Sequence, residues 1–442
     1  MYLLYSILIL SFFVVTAPYF VYQALRYQKY VGSLRQRLGY LPVSFNFDGD
    51  ESIWIHAVSV GEVLTARAVA GDLKHRYPRL KLFLSTTTMA GQQVARGKMQ
   101  DIDAVFYFPF DLGVIVQRTL RLVKPRLFIM METEIWPNLL RACRRRGVST
   151  LVVNGRISAR SYPRYRLIRP FFRHVLDHID RFCVQSDETA RRLVDLGATQ
   201  ARITVTGSLK FDSLQRPGTA MYGRPRDRVL RFFRVPESRP IVIAGSTIKG
   251  EEAVLLRAFG RMRSVSPQAL LILAPRHPER FTEVERLAQE GGFRTARRTE
   301  LPIDAEPKVD VVILDTIGEL ASLYQIAHVV FVGGSLVDAG GHNILEPAAF
   351  GKPIVFGAHM QNFAEIAEAF VGNGAAVQVQ AAAELEEVLL NLLTDPVRRA
   401  RLGAAARALV EANRGAKDKT LTVIAELLPV PSAVVRPFRV VH

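Results

Sequence analysis

The sequence predicts an α/β protein of two doubly wound parallel sheets behind an apolar N-terminal helix. Three observations lead there. Past about residue 50, short apolar runs alternate with amphipathic stretches, which is the rhythm of repeated strand–helix–strand units. That rhythm breaks once, over residues 212–226, where the chain turns polar and gathers proline and glycine, and then resumes. Residues 2–25 carry no charged side chain and are dominated by Leu, Ile, Val and Phe. A chain of 442 residues exceeds one ordinary α/β domain, and a hydrophobic fraction of 49% is ample for two cores.

In chain order, residues 1–25 are read as a membrane anchor. A helix of about 20 apolar residues crosses a bilayer core. No Lys or Arg precedes the apolar run, unlike a cleaved signal peptide, whereas Arg26, Lys29, Arg35 and Arg37 follow it. By the positive-inside rule the rest of the chain lies on the cytoplasmic side. Pro18 and Gln23 shorten the clean stretch, so the alternative to a span is a helix that lies on the bilayer or packs against the protein. Either keeps the chain at a membrane.

Residues 30–212 form the first domain, with strands expected at 52–57, 80–85, 104–108, 127–132, 150–154, 181–185 and 203–206. Residues 213–228 form a linker. Residues 229–428 form the second domain, with strands expected at 240–244, 269–274, 309–314, 329–333, 353–356 and 376–379. Residues 429–442 are an apolar, proline-containing tail with no assigned role. Two doubly wound halves joined by a linker imply a cleft, and ligands of such sheets sit beyond the C-terminal ends of the strands. Functional residues are therefore expected just after strands.

The net charge of +17 calls for an anionic partner. The basic residues are spread widely, with clusters over 141–146 and 156–173, and no basic tail, aromatic–basic RNA-binding signature or zinc-finger spacing accompanies them. Anionic lipid or an acidic substrate is favoured, and nucleic acid is not expected. Cys143 and Cys183 are the only cysteines, too few and too far apart for a disulfide framework or a metal cluster. A reducing compartment fits, and no metal or cofactor is expected.

Four motifs follow expected strands. In Trp54-Ile-His-Ala-Val-Ser-Val-Gly-Glu62 a strand runs into a loop with Ser59 and Gly61, and a helix opens near Glu62. Gly61 lets a substrate approach the backbone. Glu62 is either a proton acceptor or an acidic residue favoured by the positive end of the helix. Met131-Glu-Thr-Glu-Ile-Trp-Pro-Asn138 places Glu132 and Glu134 beside a helix start; the alternative to a cleft-facing carboxylate, a helix N-terminus with Pro137 in its first turn and an acidic residue near the cap, fits Glu134 better than Glu132. Gly207-Ser-Leu-Lys-Phe-Asp212 offers Lys210 to a phosphate or carboxylate. The most specific signal is the stretch from Gly333 to Pro353, where a glycine-rich loop leads to a helix expected near Asn343, with Glu346 and Pro347 in its first turns. Free N–H groups at a helix start bind phosphate, and Glu346 is suited to ribose hydroxyls. Gly245-Ser-Thr247, Arg276 and the Ile317-Gly-Glu319 turn add further candidate ligand contacts at strand ends.

The segments 56–62, 132–137, 154–158, 207–212, 275–278, 333–335 and 341–347 resemble, in order, those of the 3-deoxy-D-manno-octulosonic acid (Kdo) transferases of lipopolysaccharide assembly, over residues 30–425. The resemblance implies a GT-B fold of two Rossmann-like domains, a CMP-Kdo donor, and a lipid A precursor acceptor (lipid IVA) at the cytoplasmic face of a Gram-negative inner membrane. It implies that Glu62 is the general base, that Glu132 and Lys210 support the transition state, and that Pro275, Arg276, Ile317, Gly318, Glu319, Asn343, Ile344, Leu345 and Glu346 contact CMP. Ser59, Gly61 and Arg156 fall to the acceptor side. Ile344 and Ile317 stand where Pro and Met are expected, apolar exchanges that leave backbone contacts intact.

The expected reaction is a direct displacement with inversion at the anomeric carbon. Glu62 takes the acceptor proton, while Arg276, Lys210 and the helix start at Asn343 hold the leaving phosphate. Two rivals stand beside it: an enzyme of the same fold that uses a UDP-sugar, and a basic, membrane-tethered binding protein without catalysis.

Overall fold

The computed structural model describes residues 1–27, 31–158, 161–214 and 227–429. Most of the expected linker and nearly all of the expected tail lie outside them. The chain divides into two compact units, one of residues 1–213 together with Arg414 onward, the other of Leu214–Asn413.

The first unit holds seven strands: β1 (Ser52–His56), β2 (Lys81–Thr86), β3 (Ala104–Tyr107), β4 (Pro125–Met131), β5 (Ser149–Gly155), β6 (Arg181–Val184) and β7 (Ile203–Val205). They run in the order β3-β2-β1-β4-β5-β6-β7, with every pairing parallel. Helices cover both faces of a parallel sheet, so its strands read as unbroken apolar runs. Alternate residues nonetheless serve opposite faces. Trp54, Phe83, Phe106 and Phe128 fill an aromatic core on one side. Ile53, Ile55, Leu82, Leu84, Leu127 and Ile129 fill an aliphatic core on the other.

The aliphatic core also takes Ala416, Val423 and Ile424 of the helix Ala416–Leu427. This helix lies in the first unit, not in the second domain to which the sequence reading assigns it. Its amphipathic pattern says that it packs on a sheet, but not on which one. Three polar ties fix the answer: Asp212 accepts from the amides of Gly415 (2.9 Å) and Lys417 (2.8 Å), and Tyr77 Oη donates to the Leu428 carbonyl (2.7 Å).

The second unit repeats the plan with β8 (Ile241–Thr247), β9 (Leu270–Pro275), β10 (Thr295–Arg297), β11 (Val311–Ile313), β12 (Val329–Val332), β13 (Ile354–Phe356) and β14 (Val377–Gln378), in the order β10-β11-β9-β8-β12-β13-β14. Strand β10 escapes the sequence reading. It sits at the sheet edge, is only half-buried, and its Thr-Ala-Arg sequence has no apolar run to announce it.

The N-terminal helix forms over Tyr2–Tyr27. The expected span is not supported: among the described residues no helix is long and apolar enough to cross a membrane. Tyr2, Tyr5, Ser6, Ile9, Phe13 and Thr16, spaced as one helical stripe, are half-buried, whereas Leu3, Leu4, Ile7, Leu8, Phe12 and Val15 are exposed. Part of this surface is committed to protein contacts, and the remainder is an apolar face rather than an apolar cylinder.

Candidate functional site

In a doubly wound sheet the ligand crevice opens where the strand order reverses. In the first unit that point lies between β1 and β4. The helix that follows β1 carries Glu62 in its first turn, and Glu132 is the first residue beyond β4.

Ser59 is the N-cap of the helix Val60–Arg76, and Glu62 completes a capping box. The Glu62 carboxylate accepts from the amides of Val58 (2.8 Å) and Ser59 (3.3 Å) and from Ser59 Oγ (2.8 Å). Glu62 therefore sits at the positive helix end that the sequence suggests, and the capping box also immobilises its carboxylate. Glu62 is 8% exposed. Burial raises its pKa above the ordinary Glu range, the Val58 and Ser59 hydrogen bonds pull it down, and Glu132 pushes it up. Gly61 is not required by the fold, since a Cβ there would meet only Ser59 Oγ, at 3.8 Å.

Glu132 adopts φ +55°, a left-handed conformation uncommon for a glutamate, while its amide still donates to the Val153 carbonyl (2.9 Å). Such strain persists where surrounding structure enforces it, often at functional sites. Glu134 is pushed up to about 7 by burial, with Glu62 and Glu132 adding to the shift, so the three carboxyls share one neighbourhood. Glu134 lies near the helix cap, as the sequence suggests, but does not itself cap the helix. The helix Pro137–Arg145 starts from Trp136, which gives it no side-chain cap. Its open amides at Asn138 and Leu139 are bound by the carboxylate of Asp111, at 2.9 and 2.8 Å. No local signal marks Asp111, because it caps from 27 residues upstream of Asn138.

Lys210 lies in a single helical turn, Leu209–Asp212, rather than in open loop, with Ser208 as N-cap. That turn is held by Asn154 Oδ1, which accepts from the Leu209 amide (3.0 Å). Asn154 is fully buried, is the penultimate residue of β5 with φ +58°, and also receives Gln185 Nε2 at its carbonyl (2.9 Å). It opens the segment 154–158, where no local feature of the sequence marks it as a positioning residue. Arg156, two residues on, accepts from Thr133 Oγ1 at its carbonyl, tying the ends of β4 and β5.

In the second unit the order reverses between β8 and β12. Gly245, Ser246 and Thr247 end β8, and Gly333-Gly334-Ser335 follow β12. A Cβ on Gly245 would collide with the Tyr324 hydroxyl, and one on Gly333 would stand 2.5 Å from the Ser246 carbonyl oxygen. Ser246 adopts φ +57°, and Thr247 Oγ1 is buried without a hydrogen-bond partner among the described residues.

The glycine-rich loop does not present its amides freely. Glu251, fully buried, accepts from the amides of Ile248 (2.9 Å), Gly334 (2.8 Å), Ser335 (3.0 Å) and Leu336 (3.0 Å). A protein carboxylate thus occupies these loop amides, and the helix-start amides that the sequence reading offered to a phosphate lie further on, near Asn343. The helix beyond runs only over Leu345–Ala349. Asn343 Oδ1 accepts from the Leu345 amide (3.1 Å), and Asn343 Nδ2 donates to Glu346 Oε1 (3.1 Å). Ile344 and Leu345 are core side chains, so any ligand contact there is through backbone.

Pro275 closes β9, and the exposed Arg276 follows, its amide donating to the Thr247 carbonyl (2.9 Å). Arg276 also helps depress His342, which burial chiefly lowers to about 4. In the Ile317–Glu319 turn, Ile317 is 83% exposed and Gly318 adopts φ +90°. The Glu319 carboxylate is already bound by Arg298 (2.7 Å) and by Thr316 Oγ1.

Residues 32–213 match the family model described as 3-deoxy-D-manno-octulosonic-acid transferase (kdotransferase), and residues 254–409 match the glycosyl transferases group 1 model. The 3-deoxy-D-manno-octulosonic acid transferase of Haemophilus influenzae is 35% identical over 377 residues, covering 85% of this chain and 86% of the relative. The enzyme of that name from Bordetella pertussis is 35% identical over 388 residues, covering 85% and 87%. Among solved structures, a UDP-GlcNAc 2-epimerase from Neisseria meningitidis superposes with a TM-score of 0.57 at 13% identity, over 86% of this chain and 99% of that one, a likeness of fold alone.

Proposed function

The chain belongs to the 3-deoxy-D-manno-octulosonic acid (Kdo) transferases and is a glycosyltransferase, and we propose that it moves Kdo from CMP-Kdo onto the lipid A precursor, with inversion, in lipopolysaccharide synthesis. One observation carries the reading: Glu62, in the first turn of the helix after β1, and Glu132, the first residue after β4, lie beyond the two strands that flank the reversal of the first sheet, the place where such a sheet binds ligand. In this reading the acceptor hydroxyl attacks the anomeric carbon, the bond to the CMP phosphate breaks, and Glu62 receives the hydroxyl proton. Burial favours the protonated form of Glu62, which suits a proton acceptor. Glu132 and Lys210 stabilise the charge that develops on the sugar.

The second unit would hold the nucleotide. Its Gly245–Thr247 and Gly333–Ser335 ends supply close backbone approach, and Arg276 supplies positive charge. Asn343 and Glu346 would bind ribose or base as a hydrogen-bonded pair. Ser59, Gly61 and Arg156 would serve the acceptor side.

The same reading places the protein at the cytoplasmic face of the inner membrane. The exposed Leu3, Leu4, Ile7, Leu8, Phe12 and Val15 would lie in the lipid surface rather than cross it, and the net positive charge would favour anionic head groups.

The test is incubation of the detergent-solubilised protein with CMP-Kdo and lipid A precursor, followed by the product's mass. A gain of one or more Kdo units supports the reading. Inhibition by UDP but not CMP, with no Kdo gain, overturns it in favour of a UDP-sugar.

A further inference from the structure

The N-terminal helix does more than present an apolar face. Tyr5 Oη donates to Asp111 Oδ2 at 3.0 Å. Asp111 is 2% exposed, and its two oxygens cap the helix Pro137–Arg145, whose own N-cap residue, Trp136, supplies no side-chain cap. Asn138, the second residue of that helix, donates through Nδ2 to Ser6 Oγ (3.0 Å) and to the Asp111 carbonyl (2.7 Å). One buried carboxylate therefore joins the first two turns of the N-terminal helix to the start of the helix that leaves the Glu132–Trp136 segment. Apolar contacts reinforce the joint. The Tyr2 ring meets Phe171 (5.9 Å) and His178 (5.8 Å), with the Arg141 guanidinium over it at 4.7 Å. Phe13 meets Phe110 at 4.3 Å, beside Asp111.

A helix that only tethers needs none of these bonds. A buried carboxylate is costly unless its hydrogen bonds are satisfied, so removing the Tyr5 hydroxyl weakens the hold of Asp111 on both amides. The helix start then loosens, and the segment just before it, with its strained Glu132 and its Glu134, loosens too.

We propose that Tyr5 and Ser6 of the N-terminal helix, acting through Asp111 and Asn138, are positioning residues that hold the Glu132–Trp136 segment in its working conformation. The functional half of this statement rests on the glycosyltransfer reading above, and the structural half does not.

The test compares full-length, detergent-solubilised wild type with Tyr5→Phe, which keeps the ring and deletes only the hydroxyl, and with Ser6→Ala. Detergent removes any need for membrane attachment. Amide hydrogen exchange over residues 132–139 should quicken about tenfold in Tyr5→Phe, while exchange in β8–β14 stays unchanged. The kcat with CMP-Kdo and lipid A precursor should fall by a similar factor, with unchanged CMP affinity. The acid limb of the kcat profile should also move, because the segment sets the distances among Glu62, Glu132 and Glu134. A merely structural role would lower the folded fraction and leave that limb in place. Unaltered exchange over 132–139 in both variants overturns the proposal. So does quickened exchange with kcat and acid limb unmoved. Absence of Kdo transfer in wild type, with quickened exchange in the variants, would sink the glycosyltransfer reading and keep the positioning of the segment.

Discussion

The carboxylate of Glu132 raises the proton affinity of Glu62 across the point where the first sheet reverses its strand order. Parallel pairing sets His56 of β1 beside Met130 of β4, so the residues that follow these strands leave the sheet side by side. Burial is the larger cause of the shift, and the neighbouring charge adds to it. A base with a raised pKa is lost as pH falls through that raised value. The acid limb of kcat/KM should accordingly lie above the ordinary Glu range. Glu132→Gln removes a negative charge, eases ionisation of Glu62, and should shift the limb to lower pH even as turnover drops. Glu62→Gln should abolish the limb and cost about 10²–10⁴-fold in turnover, with CMP binding retained. Rates measured across the acid range on the three proteins check this, and a limb that survives in Glu62→Gln would assign the titration elsewhere.

Asn154 separates side-chain function from backbone strain. Its Oδ1 holds the turn that carries Lys210, and its φ of +58° suits asparagine or glycine better than alanine. Asn154→Gly and Asn154→Ala both delete the bond to the Leu209 amide, but only alanine is forced into the left-handed conformation. Turnover per folded molecule should fall about equally in the two, by roughly tenfold for one lost buried hydrogen bond. Thermal stability should be lower in the alanine variant by about 1 kcal/mol. Equal stabilities would contradict the strain, and unequal turnover would contradict the positioning of Lys210.

Much of this is legible in the sequence, because a parallel strand is a local signal. Ile53, Ile55, Leu127 and Ile129 announce β1 and β4 as apolar runs, and Glu62 and Glu132 follow at a distance that can be counted. What stays hidden is non-local. Asp111 caps a helix that begins at Pro137, and Glu251 binds a loop that begins at Gly334. Neither has a neighbour in sequence that reveals its partner. The Glu251 case also narrows the chemistry, since the amides of Gly334, Ser335 and Leu336 in the glycine-rich loop already have an acceptor. Strand β10 and the placement of the helix Ala416–Leu427 fail for the same reason: an edge strand without an apolar run and a helix without a named sheet are decided by tertiary contacts.

Glu251→Ala tests that buried carboxylate directly. Four amides lose their acceptor, three of them in the loop after β12. At 1–3 kcal/mol for each orphaned group, the four together should cost the second unit at least about 4 kcal/mol. The chain offers a clean readout, because its two tryptophans, Trp54 and Trp136, both lie in the first unit. Tryptophan fluorescence should report an almost unchanged urea transition, while far-ultraviolet circular dichroism should gain an earlier phase. CMP affinity should fall with the loop. Coincident, unshifted transitions by both probes would show that the carboxylate is dispensable to the loop.

Gly245 and Tyr324 make a steric pair that can be broken and mended. Any Cβ at 245 collides with the Tyr324 hydroxyl, whereas the ring carbon that bears it would stand 3.2 Å away. Tyr324 is 2% exposed and cannot simply swing into solvent. Gly245→Ala should therefore displace either the end of β8 or the tyrosine, costing about 1–3 kcal/mol of stability as overpacking, and CMP affinity should fall with it. Tyr324→Phe alone removes the hydroxyl without touching β8. In the double variant the worst clash is gone and tight contacts with the ring and with Leu320 Cδ2 (3.3 Å) remain, so part of the lost stability and affinity should return. The coupling energy from the four-protein cycle should be clearly non-zero, as expected for residues in direct contact. Additive effects would mean that Gly245 is constrained by something other than Tyr324, and that the close approach at the end of β8 serves a neighbour across the loop instead.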